Sequence, residues 1–189
     1  MQVRSAQAAA TRQRILDATR ALFDAPASSV TLDAVAAAAG VSVQTVLRAF
    51  GSKDALLVAA LGSLRQAEQH RAVMPESVGA AVRGLFDDYE AIGDRIIGIL
   101  ADEHRVAGFA EVTALGRQGH RHWVERVFAP YLPPAANWRR ERTILALIAA
   151  TDVYVWKLLR RDMGLRRDEA EAIVRGLCEA AIPAFANEE

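Results

Sequence analysis

The chain has 189 residues, no net formal charge and a single cysteine, Cys178, a length that suits one hydrophobic core or a small domain beside a larger one. One thiol excludes an intrachain disulfide and a four-thiolate zinc site, and suits a reducing compartment. There is no run of about 18 uninterrupted apolar residues, and Met1 to Arg14 lacks the charged-then-apolar order of a secretory signal, so the expectation is a cytoplasmic protein with no membrane partner.

The distribution of charge is more informative than its total. Residues 1–71 hold eight basic side chains (Arg4, Arg12, Arg14, Arg20, Arg48, Lys53, Arg65, Arg71) against five acidic ones (Asp17, Asp24, Asp33, Asp54, Glu68), a net of +3 that leaves −3 for the remainder. The first third is the part suited to an anionic partner.

Apolar residues recur at intervals of three and four, alanine is abundant, and β-branched runs bounded by turns are scarce. The expected fold is therefore all-α, with about nine helices and no sheet. The first helix spans Thr11 to Asp24, with Thr11 as its cap and Ile15, Ala18 and Leu22 along one stripe; Ala25-Pro26-Ala27-Ser28-Ser29 ends it. Thr31 caps a second helix, with Asp33 in its first turn, that stops at Gly40. A third covers Val43 to Phe50. After Gly51 the Ser52 hydroxyl caps a long fourth helix reaching Arg71, and Pro75 marks a boundary.

Five further helices are expected over Glu76–Ile92, Asp94–Arg105, Ala110–Tyr131, Trp138–Asp162 and Asp168–Phe185, with Pro133-Pro134 and Gly164 as firm breaks. The predicted domains are 1–71, which includes the start of the linking fourth helix, and a larger helical domain over 72–189.

The segment from Thr31 to Phe50 carries the chemistry. Two short helices crossing at roughly 90 to 120° need a small residue where their backbones approach and a turn residue tolerant of positive φ. Ala36 and Gly40 fill those roles. At 100° per residue, Val46, Ala49 and Phe50 share one side of the third helix, which leaves Gln44 and Arg48 opposite, flanked by Thr45 and Leu47. A short polar-faced helix of this kind fits a DNA major groove, where Arg matches guanine O6/N7 and Gln matches adenine N6/N7. Lys53 follows the Ser52 cap, where a cation opposes the helix dipole; a nearby phosphate would explain its presence, with an ordinary solvated lysine as the alternative.

Residues 11 to 62 resemble the DNA-binding domain of the TetR family of transcriptional regulators. The resemblance rests on Ile15-Leu-Asp-Ala-Thr-Arg-Ala-Leu-Phe23, Thr31, Val35-Ala36, Ala39-Gly40-Val41-Ser42, Thr45, Phe50 and Ser52-Lys53-Asp54-Ala55-Leu56-Leu57. It implies that Thr31 and Lys53 touch backbone phosphates and that Ser42, Val43, Gln44, Thr45, Leu47 and Arg48 face the groove. Leu47 stands where the family usually has tyrosine, Ala49 where histidine is common, and Gln44 replaces a frequent glycine. The operator is accordingly open, with Leu47 suited to a thymine methyl.

Over residues 75 to 189 the resemblance rests on helix count, length and the segment Asp152 to Leu165, and implies a variable domain that binds an effector and dimerises. Thr143 to Leu159 is apolar almost all round, so it is expected to be buried on more than one side. With Ala170 to Phe185 and the same helices of a second subunit it would form a four-helix bundle about a two-fold axis. Ten of the twelve aromatics follow Pro75. Phe86, Tyr89, Phe109, Trp123, Phe128 and Trp156 are candidates to line an effector pocket, with simple core filling as the alternative. Asp152 joins them because no neighbour three or four residues away pairs with it, and a buried carboxylate needs a partner. His104 beside Asp102 and Glu103, and His120 with His122, lack the i, i+4 spacing of helical metal ligands, so neither metal nor cofactor is expected.

The resulting expectation is a DNA-binding regulator, foremost a ligand-responsive repressor acting as a homodimer on a palindromic operator, with a small hydrophobic effector. The alternatives are an activator or effector-dependent regulator of the same fold, and a helical interaction module with no DNA role. No nucleophile elbow, phosphate loop or metal pair points to an enzyme.

Overall fold

The computed structural model describes residues 2–22, 29–68 and 74–184. These residues form helices joined by turns and no strand, so the all-α expectation holds. Their contacts separate into two compact units, one of residues 1–72 and 98–114, the other of residues 73–97 and 115–189.

In the first unit, α1 (Gln2–Ala21) begins nine residues before the expected Thr11 cap, because the stretch preceding Thr11 is rich in alanine, the strongest helix former. The expected stop at Asp24 and the linker Ala25 to Ser28 lie outside the described residues. α2 (Leu32–Ala39) starts where sequence logic puts it: Thr31 is extended and its hydroxyl accepts the Ala34 N–H. It ends at Gly40, whose φ of 64° is left-handed, a conformation that only glycine adopts without cost. The Val41 N–H then reaches back 3.0 Å to the Ala36 carbonyl and closes the turn.

Ser42 caps α3 (Val43–Phe50) through the Thr45 N–H, and Ser52 caps α4 (Lys53–Glu68) through the Ala55 N–H. The expected extension of that helix to Arg71 also falls outside the described residues. The axes of α2 and α3 differ by 101°, within the range of a helix-turn-helix. Ile15, Val35, Val46, Leu57 and Ala60 are wholly buried, and Val106 and Phe109 enter the same core. That is why residues 98–114, distant in sequence, join this unit.

The second unit is built on α5 (Val78–Ala101), α6 (Phe109–Val127), α7 (Arg139–Ala150), α8 (Val153–Lys157) and α9 (Arg167–Ala184); the ends of α5 and α6 over residues 98–114 belong to the first unit. Two expected helices, Glu76–Ile92 and Asp94–Arg105, prove to be the single α5. Gly93 does not break it. A Cβ there would lie 2.5 Å from the Trp156 ring, so this glycine is what lets the indole pack against the helix.

The opposite correction applies downstream. The expected helix from Trp138 to Asp162 is interrupted at Thr151-Asp152, because Thr and Asp side chains offer the backbone competing hydrogen bonds. The Thr151 hydroxyl donates to the Leu147 carbonyl at 2.6 Å, while Asp152 turns extended and caps α8 by accepting the Tyr154 N–H at 2.8 Å. α8 then widens into a π turn over Leu158–Asp162, where the Met163 N–H meets the Leu158 carbonyl. Gly164, at φ 66°, reverses the chain before α9. The expected end of α9 at Phe185 is outside the described residues. Among the described residues no single helix is long and apolar enough to cross a membrane.

Candidate nucleic-acid interface

α3 is two turns long, and both its ends are fixed by groups outside it. At the amino end the Ser42 oxygen accepts the Thr45 N–H at 3.2 Å and lies 2.9 Å from the Thr45 hydroxyl. This commits Ser42 and Thr45 to each other and holds Thr45 at the mouth of the first turn. Val46 is completely buried, with Ala49 and Phe50 packed against the same core. Gln44, Leu47 and Arg48 are exposed, and Val43 and Thr45 are half-buried. The face opposite Val46 thus carries an amide, a guanidinium and a leucine that is 38% exposed.

Thr31 is exposed at the start of α2, and Lys53 is half-buried at the start of α4. All eight sequence-identified residues of this face (Thr31, Ser42, Val43, Gln44, Thr45, Leu47, Arg48, Lys53) therefore sit on α3 or at the start of the helices on either side of it. Asp54 accepts the Ala107 N–H at 3.2 Å, tying α4 to the loop that follows α5.

One residue of this region escaped sequence reasoning. Arg12, on α1, donates from Nη1 to the Ala49 carbonyl at 2.6 Å and stands 4.0 Å above the centre of the Phe50 ring. Nothing in the local pattern of α1 signals a partner 37 residues away.

The second unit gathers most of the aromatic candidates. Phe86, Phe128 and Trp156 are fully buried, and Tyr89 nearly so. Tyr89 and Trp156 lie 5.8 Å apart, Trp123 meets Phe128 edge-on at 5.9 Å, and His120 stacks on Trp123 at 5.6 Å. Phe109 stands apart from this group, in the core of the first unit. Asp152 is not a carboxylate stranded inside a helix: it is half-buried and occupied with capping α8.

The polar groups around these rings are paired. The Tyr89 hydroxyl donates to the Thr151 carbonyl at 2.9 Å, and His120 Nε2 lies 3.0 Å from the Thr151 hydroxyl. Glu90 accepts from Trp156 Nε1 and Arg160 Nε, while Arg161 holds Asp94 and stacks over the Trp156 ring. Burial pushes the Tyr89 phenol well above its ordinary range and the His120 imidazole below its own, and the Arg160 guanidinium holds Glu90 below the usual carboxylate range. Burial also drives the Cys178 thiol up to about 12, which leaves it unreactive at neutral pH.

Two short helices at 101°, the second exposing a polar face, form a helix-turn-helix, the motif whose second helix can enter a DNA groove. The family comparison gives the particular kind. Residues 15–60 match the model of the bacterial regulatory proteins of the tetR family, so the first unit carries a DNA-binding domain of that family, which indicates a transcriptional regulator. The match covers the last seven residues of α1, all of α2 and α3 and the first half of α4, and thus every residue of the candidate face. No curated protein matches the chain.

Proposed function

We propose that the protein is a ligand-responsive repressor that binds a palindromic operator as a homodimer in the cytoplasm. The observation that carries this reading is the exposed face of α3, where Gln44 and Arg48 stand clear of a core sealed by Val46. Arg48 reads guanine and Gln44 adenine in the major groove, Leu47 meets a thymine methyl, and Ser42 with Thr45 sets the depth of the first turn. Val43 lines the same entry. Thr31 and Lys53 grip phosphates at the starts of α2 and α4 and so fix the register.

Dimerisation is supported by apolar side chains left on the surface of the second unit. Tyr154 and Leu158 are about half exposed, and Ile173 and Leu177, four residues apart on α9, are 42% and 47% exposed. A second copy would bury them, and its two-fold axis would match the symmetry of a palindrome. Effector binding falls to the second unit, at the aromatic group of Phe86, Tyr89, Trp123, Phe128 and Trp156, with a hydrophobic ligand. An effector that favours the state whose recognition helices miss the spacing of adjacent grooves, about 34 to 36 Å, lowers operator affinity by that preference.

Selection of bound sequences from a random duplex library tests the reading. A palindromic consensus bound with log K falling as log salt rises supports it; weak binding insensitive to salt would leave a helical interaction module. Reporter expression at the selected operator, with and without hydrophobic compounds, then separates a repressor from an activator. Light scattering that gave a monomer at micromolar concentration would remove the dimer.

A further inference from the structure

The eight residues of α3 form too short a helix to hold their own direction, so the placement of Arg48 depends on what fixes the two ends. Ser42 fixes the first. At the second, the last carbonyls have no partner within the helix, and the Gly51 N–H satisfies only that of Leu47. Arg12 takes that of Ala49. Its guanidinium donates to the Ala49 carbonyl and covers the Phe50 ring, so one cation from α1 holds two consecutive residues immediately after Arg48. A cation at a helix carboxyl end is favoured by the dipole, and a planar guanidinium over an aromatic face by the ring quadrupole. One of its donors and one face of its planar group are thereby engaged on α3.

We propose that Arg12 is a positioning residue for operator discrimination: it pins the carboxyl end of α3 to α1 and so sets the angle at which Arg48 meets its base pair. This rests on the reading of α3 as the recognition helix. Loosening the pin lowers specific binding, which needs the angle, and spares non-specific binding, which needs only phosphate contacts.

The test measures dissociation constants of the wild type, Arg12→Ala and Arg12→Lys for the operator selected by the wild type and for an unrelated duplex, across a salt series, with melting temperatures alongside. The expected result for Arg12→Ala is a fall of about tenfold in the ratio of specific to non-specific affinity, the size suited to one dipole contact and one cation–π contact together. The non-specific constant and its salt slope stay as in the wild type, and the melting temperature falls by no more than a few degrees. Arg12→Lys, which keeps a cation and a donor for the Ala49 carbonyl, recovers most of the ratio.

Equal losses on both duplexes with a salt slope shallower by about 0.9 per lost contact would make Arg12 a phosphate ligand and overturn the proposal. Equal losses with a lowered melting temperature would make it a structural residue only, and unchanged binding would remove any role; either also overturns it. A wild type that selects no sequence would instead overturn the recognition reading, and this proposal with it, and is told apart because it requires no Arg12 variant.

Discussion

The two units are held in shape by interactions of very different reach. In the first, the bonds that start the helices of the helix-turn-helix and the helix after it span three residues each, Thr31 to Ala34, Ser42 to Thr45 and Ser52 to Ala55, and a longer one, from Arg12, holds the carboxyl end of α3. In the second, the bonds that organise the aromatic group join residues 62 to 70 apart: Tyr89 to Thr151, Trp156 to Glu90, Arg161 to Asp94 and Arg160 to Glu90. Local caps suit a surface that must meet a fixed lattice of phosphates and bases. Long-range pairs through α5 and α8 tie the second unit's polar groups to one arrangement of its helices, so whatever shifts those helices must break or remake several bonds together.

The contrast predicts where substitutions hurt most. Trp156 is 1% exposed, fills the notch left by Gly93 and gives its N–H to Glu90. Trp156→Ala is expected to cost about 3–5 kcal/mol of unfolding free energy, measured by urea denaturation. Approaching the same contact from the other side, Gly93→Ala places a methyl within 2.5 Å of the ring and should cost about 1–3 kcal/mol by overpacking. Were Gly93→Ala neutral or stabilising, as alanine normally is inside a helix, the close approach of α5 and the indole would be excluded.

The same difference in reach explains how much was legible in the sequence. The helix-turn-helix was readable because each of its signals is local: a hydroxyl three residues before the amide that it caps, a glycine where φ must be positive, an apolar stripe set by the 3.6-residue period. Arg12 was not readable, since its partners lie in α3 and nothing on α1 marks one arginine from the next. In the second unit, Gly93 between Ile92 and Asp94 looks like a helix break, and only Trp156, distant in the chain, shows that the glycine sits inside α5 for reasons of space. Thr151-Asp152 is the instructive miss. Its composition is that of a cap, yet the apolar residues on both sides suggested one continuous buried helix and a stranded carboxylate, where the chain in fact bends and Asp152 satisfies the first turn of α8.

In the first unit a comparable truncation should be mild. Thr31→Ala removes the oxygen that accepts the Ala34 N–H, and a lost cap of this kind costs about 1 kcal/mol. The loss should be read in thermal unfolding and, because the same residue is proposed to touch phosphate, as a weakening that is uniform across operator and unrelated duplexes. A Thr31→Ser variant keeps the oxygen and should restore both. A cost from Thr31→Ala as large as that from Trp156→Ala would break the contrast between locally capped and remotely tied units.

The smallest effect expected is a pH dependence confined to the second unit. Burial is the main cause lowering the His120 pKa from its ordinary 6.5, opposed by the Asp152 carboxylate and by the bond to the Ile148 backbone. The native state therefore prefers the neutral ring. Well above 6.5 neither folded nor unfolded chain is protonated at this site, and His120 contributes no pH dependence. Below that value the unfolded chain binds the proton first, so stability falls with pH until the folded-state pKa is passed. Glu90 acts in the same sense but only below 4.5, since its pKa is lowered by the Arg160 guanidinium and its stabilisation is lost as the carboxylate protonates. The two windows are separate, so the slope of stability between about pH 5 and 6.5 isolates the imidazole. His120→Gln, which retains an amide capable of meeting the Thr151 hydroxyl, should flatten that slope and leave the acid limb below it intact. If wild type and His120→Gln lost stability in parallel through this range, the neutral, Thr151-bound His120 would not be the group that titrates.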